Sequence, residues 1–248
     1  MKDSLFVIAE AGVNHNGNPD LAFQLVDVAL EAGADAIKFQ TFKTENLVTK
    51  TVPKANYQKH AINTEETQFS MLKELELSYE THRELISYCN KREIDFLSTA
   101  FDLDSLKFLS HDLKLKTLKI SSGDINNAPL LLAHAHTDCD LIISTGMSTL
   151  LEIEEMLGVV AFGFIYPKNT QITTRSVFEE AYLSKEGQDL LKERVTLLHC
   201  TSEYPAPYED IDLNAMVAIR NAFGLKTGYS DHSEGISVAT AATALDAK

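Results

Sequence analysis

Short apolar segments alternate with helical segments along almost the whole chain, and this alternation restricts the fold more than any other feature. Each apolar segment is rich in β-branched residues, as strands are. Regular alternation of strand and helix is typical of a parallel sheet covered by helices. The predicted strands are 5–11, 36–42, 95–101, 117–122, 141–145, 195–201 and 226–230.

The segments between the strands carry apolar residues at helical spacing. In the first of them, Pro19 suits the first turn and Gly33 ends the helix. Its predicted buried stripe consists of Leu21, Leu25, Val28 and Ala29. The predicted helices are 19–33, 79–92, 102–112, 128–137, 149–162, 214–223 and 234–248.

Polar residues cluster directly after each predicted strand, in segments such as STAFD, SSGD and STGMS. In a closed (β/α)8 barrel such segments share the C-terminal rim, where active sites lie. A chain of 248 residues suits one α/β barrel, so residues 1–248 are predicted to form a single TIM-type barrel domain. Closure needs about eight strands. Since we predict seven, we expect the barrel to be truncated before its eighth strand.

Two segments are longer than a compact barrel requires. Residues 43–78 follow the second strand on the active-site side, where a long loop is usually a lid or a binding loop. Residues 162–194 lie between the fifth helix and the sixth strand. We expect them on the opposite rim, as a subunit contact or a decoration.

Charge and composition narrow the range of partners. The formal net charge of −14 repels nucleic acid and anionic membranes, so neither is an expected partner. The N-terminal apolar run is too short for a signal peptide, and no window approaches ~18 apolar residues. These features predict a cytoplasmic protein. Because the cysteines are odd in number and lack CxxC spacing, we expect reduced, packed thiols at Cys89, Cys139 and Cys200.

Two lysines lie inside predicted strands. A lysine that faces a packed interior is costly without an anion. Lys38 and Lys119 therefore indicate an anion site, unless each reaches solvent or pairs with a carboxylate. Hydroxyl groups after the strands could bind phosphate or carboxylate, or could merely cap helices. They belong to Thr99, Ser121, Ser122, Ser144, Thr145, Ser202 and Ser230.

Three further side chains on the predicted rim could take part in catalysis or substrate binding. Glu10 ends the first strand and is predicted to face the barrel mouth. His232 follows the seventh strand, where an imidazole can bind a divalent metal, transfer a proton or serve as a structural residue. Tyr204 could orient a polyhydroxylated substrate or be a packed loop aromatic. The sequence has no Walker loop, GxGxxG, HExxH or GxSxG motif, so nucleotide hydrolysis and serine-hydrolase chemistry lack support.

Seven ordered motifs resemble the N-acetylneuraminate (sialic acid) synthase family, which includes legionaminate and pseudaminate synthases. They are AEAGVNHNG, AIKFQTF, FLSTAFD, KISSGD, STGMS, HCTSEYPAP and GYSDHSEG. The resemblance implies a transferase that condenses phosphoenolpyruvate with the open-chain aldehyde of an N-acetylated amino sugar, such as N-acetylmannosamine. The implied products are a sialic-acid-type keto acid and phosphate, which is released by C–O cleavage.

The resemblance also implies roles for particular residues. Glu10 resembles the carboxylate that handles the water and the sugar oxygen, and His232 resembles the first metal histidine, with manganese or magnesium as the expected cofactor. Gln40 and Tyr204 fall at acceptor-sugar contacts, and Asp124 stands where several relatives have Glu. The phosphoenolpyruvate site is implied at Lys38, Thr99, Lys119, Ser122, Ser144, Ser202 and Ser230.

The family's second metal histidine follows in the eighth strand, and its antifreeze-like C-terminal domain reaches the partner's active site in a homodimer. Neither is in this sequence, so the resemblance implies a weak or inactive catalyst here and a homodimer for a full-length protein. Alternatives are a class I aldolase with a Schiff base on Lys38 or Lys119 and a sugar-binding barrel without catalysis. A 3-deoxy-sugar-phosphate synthase would need a second phosphate site, for which no Arg/Lys cluster is evident.

Overall fold

The computed structural model describes residues 5–51, 67–168 and 174–248. The chain divides into two compact units, which we call the N-terminal unit, Phe6–Leu115, and the C-terminal unit, Lys116–Lys248. Both have the strand–helix order that the sequence predicts. The strand pairings within each unit are parallel, which confirms the α/β class.

The N-terminal unit contains three strands in its described residues, paired in chain order. They are β1 (Ile8–Gly12), β2 (Ala36–Thr41) and β3 (Asp95–Ala100). The helices are α1 (Pro19–Glu31), α2 (Thr44–Leu47), α3 (Gln68–Leu75), α4 (Tyr79–Arg92) and α5 (Leu103–Lys107). A π-helical turn, Phe108–Asp112, continues α5, so the helix predicted over 102–112 changes its hydrogen-bonding pattern part-way.

The C-terminal unit contains four strands in its described residues, again paired in chain order. They are β4 (Thr117–Ile120), β5 (Asp140–Ser144), β6 (Val195–His199) and β7 (Lys226–Tyr229). The helices are α6 (Ala128–Ala135), α7 (Leu150–Ile165), α8 (Arg175–Leu183), α9 (Lys185–Arg194), α10 (Leu213–Phe223) and α11 (Ser237–Ala244). Short 3-10 turns occur at Ser122–Asp124 and Tyr208–Asp210.

One face of each sheet carries the fully buried side chains. In the N-terminal unit, Ile37 and Phe39 of β2 are at most 1% exposed, whereas Lys38 and Gln40, which alternate with them, are half-buried. In the C-terminal unit, Leu141 and Ile143 of β5 are buried and Ile142 is half-buried. Because side chains alternate across a strand, each sheet has one well-covered face and one more open face.

The buried face of α1 differs from the predicted stripe. Pro19 does begin the helix, and Gly33 follows its end with a φ of +78°. However, Leu21 and Val28 are exposed, and the buried residues are Ala22, Val26 and Ala29. The side chains that α1 buries are therefore small, whereas Leu21 and Val28 face solvent. The predicted stripe was wrong at Leu21 and Val28.

Glu76 forms hydrogen bonds that link the two described ends of the predicted loop over 43–78. Its carboxylate accepts hydrogen bonds from Lys43 Nζ at 2.9 Å, from the Thr44 amide and hydroxyl at 3.1 and 3.0 Å, and from Lys73 Nζ at 3.1 Å. Burial alone would raise the pKa of Glu76, but these donors outweigh it and lower the pKa to about 2. Residues 52–66 of the loop lie outside the described residues.

The predicted extra segment over 162–194 begins within α7 and continues as α8 and α9. Helix α8 packs closely on α7 at Gly158, where an added Cβ would lie 3.0 Å from the Phe178 carbonyl oxygen. Helices α8 and α9 therefore form a second layer beside α7. A role in subunit contact stays a prediction.

The three cysteines are buried thiols that are not joined in disulfides, as the sequence predicts. Burial raises the pKa of Cys89 to about 12, so this thiol is protonated at neutral pH. Of the helices in the described ranges, none has the length and apolar character that a bilayer span requires.

Candidate active site

Four of the predicted site residues share the open face of the N-terminal sheet. Glu10 pairs in register with Lys38, and Gln40 pairs with Thr99 on the next strand. Register partners on neighbouring strands point to the same face, and residues two apart on one strand do so as well. Glu10, Lys38, Gln40 and Thr99 therefore lie on one face. Ser98 and Thr41 lie on the opposite face, where both are joined to His82 of α4 through the Thr41 hydroxyl.

A β-bulge gives Glu10 its position. The register of β1 against β2 shifts between Glu10 and Gly12, and such bulges re-aim side chains at strand ends. Gly12 has a φ of +53°, and a Cβ there would lie 3.2 Å from Glu10 Oε1 and 3.7 Å from Gln40 Nε2. A glycine at this point thus provides both the left-handed backbone and the space for the two side chains.

Lys38 and Glu10 form an ion pair. The Lys38 side chain is 12% exposed, whereas that of Glu10 is 51% exposed. The sequence left open whether a strand lysine would bind an external anion or pair with a carboxylate of the chain. In the structure Lys38 pairs with Glu10, which keeps a mostly buried ammonium neutralised while the carboxylate stays accessible to solvent.

Lys119 and Ser144 lie on the open face of the C-terminal sheet. Lys119 pairs in register with Ile142, and Ser144 follows Ile142 by two residues. Lys119 is 6% exposed, and its Nζ donates to the Ile120 carbonyl oxygen at 2.7 Å. Asp124 lies within electrostatic range of Lys119. Burial raises the pKa of Asp124, while a hydrogen bond from Asn127 and the charge of Lys119 oppose the rise.

Ser122 and Ser202 meet beside Gly146. Their hydroxyl oxygens are 3.4 Å apart, although they are separated by 80 residues in the sequence. An added Cβ on Gly146 would lie only 2.3 Å from Ser202 Oγ and 2.7 Å from Cys200 Sγ. The close approach of β5 and β6 at their C-terminal ends thus requires glycine at position 146 and places the two hydroxyls side by side.

His232 and Ser230 form the third group in the C-terminal unit. His232 Nε2 lies 3.3 Å from Ser230 Oγ, and Nδ1 lies 2.6 Å from the Thr201 carbonyl oxygen. The ring of Tyr204 packs against that of His232, with centroids 4.2 Å apart and ring planes tilted by 33°, and Tyr204 is 58% exposed. Tyr204 is therefore a partly exposed aromatic that packs on one side against His232.

Not every predicted hydroxyl belongs to these groups. Ser121 caps the 3-10 turn by accepting from the Gly123 amide, and Thr145 donates to the Leu198 carbonyl oxygen. These two hydroxyls have the structural role that the sequence left open. The convergence of Lys38 with Lys119 stays a prediction, because the two lysines belong to different units.

The Thr201 carbonyl is a contributor that sequence analysis missed. A backbone carbonyl leaves no residue-type signal, so the contact of Thr201 with His232 depended on the tertiary structure. The STGMS motif contained Gly146, but only the approach of Cys200 and Ser202 shows why a side chain is excluded there.

The described residues do not form a complete metal site. His232 is held at Nδ1 by a carbonyl, as metal-binding histidines commonly are. Yet in the parts of the chain that the structure describes, no three His, Cys, Asp or Glu side chains come together as a metal-binding group. These residues offer one candidate ligand, and the predicted divalent metal stays a prediction.

With the geometry established, comparison with known proteins identifies the family. A family model described as the NeuB family matches residues 25–248. The chain belongs to the NeuB family. The resemblance drawn from the seven motifs is thereby confirmed, because the similar proteins include legionaminic, pseudaminic and sialic acid synthases.

Individual members of the NeuB family match almost the whole chain. The N,N'-diacetyllegionaminic acid synthase of Legionella pneumophila is 47% identical over 242 residues, which are 98% of this chain and 61% of that protein. The Campylobacter jejuni protein of the same name is 43% identical over 247 residues, 100% of this chain and 66% of that protein. This chain thus spans somewhat less than two thirds of each of these relatives.

A solved structure supports the same assignment. The N-acetylneuraminic acid (sialic acid) synthetase of Leptospira borgpetersenii, crystallised with citrate, matches with a TM-score of 0.75 and 30% identity. The match covers 99% of this chain and 71% of that one. The α/β fold of this chain is therefore that of a sialic acid synthase.

Proposed function

We propose that this chain provides the phosphoenolpyruvate site and part of the catalytic machinery of a synthase. The reaction joins phosphoenolpyruvate to the aldehyde of an N-acetylated amino sugar and yields a sialic-acid-type keto acid and phosphate. The observation that supports it most is the burial of Lys119 on the same sheet face as Ser144. Membership of the NeuB family and the names of its synthases give the chemistry its context.

The C-terminal unit is suited to hold a phosphate or carboxylate. A protein with a net charge of −14 cannot attract a dianion through its overall field. It needs local donors in a partly desolvated site, where charge-assisted hydrogen bonds are strongest. Lys119 and the hydroxyls of Ser122, Ser144, Ser202 and Ser230 are the proposed donors. From the N-terminal unit, we propose that Lys38 and Thr99 contribute as well.

Glu10 is the proposed general base. In the condensation, C3 of phosphoenolpyruvate forms a bond to the aldehyde carbon, whose oxygen takes up a proton. Water then adds to C2, loses a proton, and the bond between C2 and the phosphate oxygen breaks. A carboxylate that is half exposed and held beside a lysine can accept the proton of the water and donate one to the sugar oxygen.

The acceptor sugar is assigned to Gln40, Asp124 and Tyr204. Gln40 lies beside Glu10 across Gly12, and the exposed ring of Tyr204 offers a surface for a sugar. A divalent ion, Mn2+ or Mg2+, is proposed with His232 as one ligand, and when bound it would polarise the aldehyde as a Lewis acid. Which amino sugar is used depends on contacts beyond these residues.

The larger architecture is also a proposal. We propose a TIM-type (β/α)8 barrel, because the parallel strands follow one another in chain order within each unit. The Lys248 amide donates to the Thr227 carbonyl oxygen of β7 at 3.2 Å. A homodimer and a cytoplasmic location stay predictions.

Calorimetry with phosphoenolpyruvate tests the anion site. We expect binding to this chain that weakens roughly tenfold or more in Lys119→Met, since a buried ammonium gives a strong charge-assisted bond. Lys116→Met is the matched control, because Lys116 is exposed just before the same strand. Equal affinities for both variants would contradict the assignment of Lys119.

Isotope-labelled substrate tests the reaction. Phosphoenolpyruvate with 18O in the oxygen that bridges carbon and phosphorus is incubated with Mn2+ and a panel of N-acetylated amino sugars. C–O cleavage places the label in the released phosphate, which mass spectrometry detects together with the keto acid. A Schiff-base aldolase would instead be trapped covalently on pyruvate by borohydride. Binding without turnover would favour a sugar-binding barrel that has lost catalysis.

A further inference from the structure

The loop after β6 holds the loop after β7 at several points. We call residues 201–207 the β6 loop and residues 230–236 the β7 loop. The Ala206 amide donates to the His232 carbonyl oxygen at 2.8 Å, and the Thr201 carbonyl accepts from the His232 ring. Just after the β6 loop, the Tyr208 hydroxyl donates to the Glu234 carbonyl oxygen. His232 is thus held through its backbone, its ring and a residue two positions further along.

The contact at Nδ1 determines the protonation of the imidazole. A carbonyl oxygen accepts hydrogen bonds and cannot donate them. Nδ1 therefore carries the proton in its 2.6 Å contact with Thr201. In a neutral ring this leaves Nε2 as an acceptor, and it faces the Ser230 hydroxyl at 3.3 Å. The Tyr204 ring lies against the imidazole, with centroids 4.2 Å apart and ring planes tilted by 33°.

Tyr208 lies where it can control this arrangement. Its hydroxyl reaches the backbone of the β7 loop at Glu234, and a Cβ added to Gly235 would lie 3.7 Å from the same hydroxyl. Gly235 has a φ of +77°, so the loop turns sharply at this contact. Tyr208 itself is 57% exposed, so the ring contributes little to the core and the hydroxyl contact is its main link to the loop.

We propose that Tyr208 is a positioning residue that, together with the Thr201 carbonyl, holds His232 as the Nδ1-protonated tautomer with Nε2 directed at Ser230. This inference deepens the proposed function, since it assigns the β6 loop the task of presenting an unprotonated imidazole nitrogen to the substrate site. The tautomer itself does not depend on any ligand.

The tautomer is measured by nuclear magnetic resonance on 15N-histidine-labelled protein without ligands at pH 8. Long-range 1H–15N correlations distinguish a protonated from an unprotonated ring nitrogen, and His232→Gln assigns the signals. We expect Nδ1 protonated and Nε2 unprotonated. A dominant Nε2-protonated form would overturn the inference.

The role of Tyr208 is tested with Tyr208→Phe, with Tyr166→Phe as the matched control. Tyr166 is 50% exposed at the end of α7 and is distant in sequence from both loops. In Tyr208→Phe we expect amide exchange in residues 231–235 to rise about tenfold, the effect of losing one hydrogen bond. We also expect the His232 ring signals to shift towards a mixture of tautomers, with the rise in local exchange confined to these residues.

Other outcomes count against the proposal. If Tyr208→Phe leaves both the exchange rates and the ring signals as they are in Tyr166→Phe, Tyr208 does not position His232. If exchange rises throughout the C-terminal unit together with a lower urea midpoint, the role of Tyr208 is structural. A failure of phosphoenolpyruvate binding would contradict the proposed function and would leave these ligand-free results unaffected.

Discussion

The polar groups at the strand ends have different kinds of partner in the two units. In the N-terminal unit, charges are paired with charges: Lys38 with Glu10, and Lys43 and Lys73 with Glu76. In the C-terminal unit, neutral hydroxyls meet one another and backbone carbonyls, as Ser122 meets Ser202. There the buried Lys119 donates to a backbone carbonyl, with Asp124 within electrostatic range.

This difference indicates separate roles for the two units of this acidic protein. When a cation is already paired with a carboxylate, an incoming anion must displace that carboxylate. The net binding free energy is then smaller by the cost of breaking the pair. Lys119 is 6% exposed and donates to the Ile120 carbonyl oxygen, so its charge lies in a desolvated setting, where a charge-assisted bond to an incoming anion is strong. We therefore expect the C-terminal unit to dominate anion affinity, and the paired charges of the N-terminal unit to serve stability and proton transfer.

The largest expected effect is at the paired charges around Glu76. Glu76→Ala removes the acceptor of four hydrogen bonds and leaves Lys43 uncompensated, so we expect a loss of about 3 kcal/mol in the free energy of unfolding. Urea denaturation measures it. Glu45→Ala is the control, because Glu45 pairs with Lys73 at an exposed site. Equal losses in the two variants would show that Glu76 is no more than a surface ion pair.

The same carboxylate predicts a pH dependence. The pKa of Glu76 is lowered from 4.5 to about 2 in the folded state. Its contribution to stability is therefore fully present above pH 4.5 and is lost as the pH falls towards 2. Glu76→Gln should show a shallower loss of stability in this window. Parallel curves for the two proteins would contradict the assignment.

A smaller effect is expected where the hydroxyls meet. In Gly146→Ala the new Cβ would overlap Ser202 Oγ and Cys200 Sγ, which should cost about 2 kcal/mol through overpacking. Affinity for phosphoenolpyruvate should fall as well, since Ser202 must move. Gly123→Ala is the control, because a Cβ there would be in ordinary contact with Ser121 Oγ at 3.8 Å. The comparison fails if the two alanine variants bind phosphoenolpyruvate equally.

Buried histidines occur in both units and should destabilise each in acid. Burial lowers the pKa of His134 to about 4, against a weaker opposing hydrogen bond to the Leu130 carbonyl oxygen. The unfolded state therefore binds the proton first, and stability falls as the pH drops from 6.5 to about 4. At pH 5.5 we expect the loss in the free energy of unfolding to be roughly 1 kcal/mol smaller in His134→Leu than in the unmodified protein. Thermal denaturation at pH 7.5 and 5.5 checks it.

The matched variant is His111→Gln, which alters an exposed imidazole. It should lose stability with pH as the unmodified protein does. If His134→Leu follows the same curve, His134 is not the group that destabilises the protein in acid. His15 in the N-terminal unit has a pKa lowered to about 4, first by burial and then by the charge of His82, and should behave like His134.

The smallest expected effect is at Lys38 and Glu10. A double-mutant cycle with Lys38→Met and Glu10→Gln should give a coupling energy below about 1 kcal/mol, because the Glu10 side chain is half exposed to water and salt. Urea denaturation of the four proteins measures it. A coupling of several kcal/mol would mean that this pair stabilises the fold as strongly as the pairs of Glu76. It would contradict the expectation that an accessible pair is weaker than a buried one.

Much of the fold could be predicted because it depends on local patterns. Each predicted strand has an observed counterpart whose bounds differ by at most three residues, as β1 shows with Ile8–Gly12 against 5–11. The buried side of α1 could not be predicted, since Leu21 and Val28 are apolar yet exposed. Periodicity specifies that a helix has an apolar side, but the distance to its neighbours decides whether small or large residues face them.

For the site, residue types and strand ends were sufficient to select Glu10, Lys38, Lys119 and His232. The sequence by itself determined the order of parallel strands, the polar groups that follow them and the family, because these are properties of local pattern and motif. Only the tertiary structure decided that Lys38 pairs with Glu10, that Gly146 makes room for Ser202, and that His232 Nδ1 meets the Thr201 carbonyl oxygen. Those outcomes depend on contacts between distant segments, and a backbone carbonyl such as that of Thr201 carries no side-chain signal that a sequence could reveal.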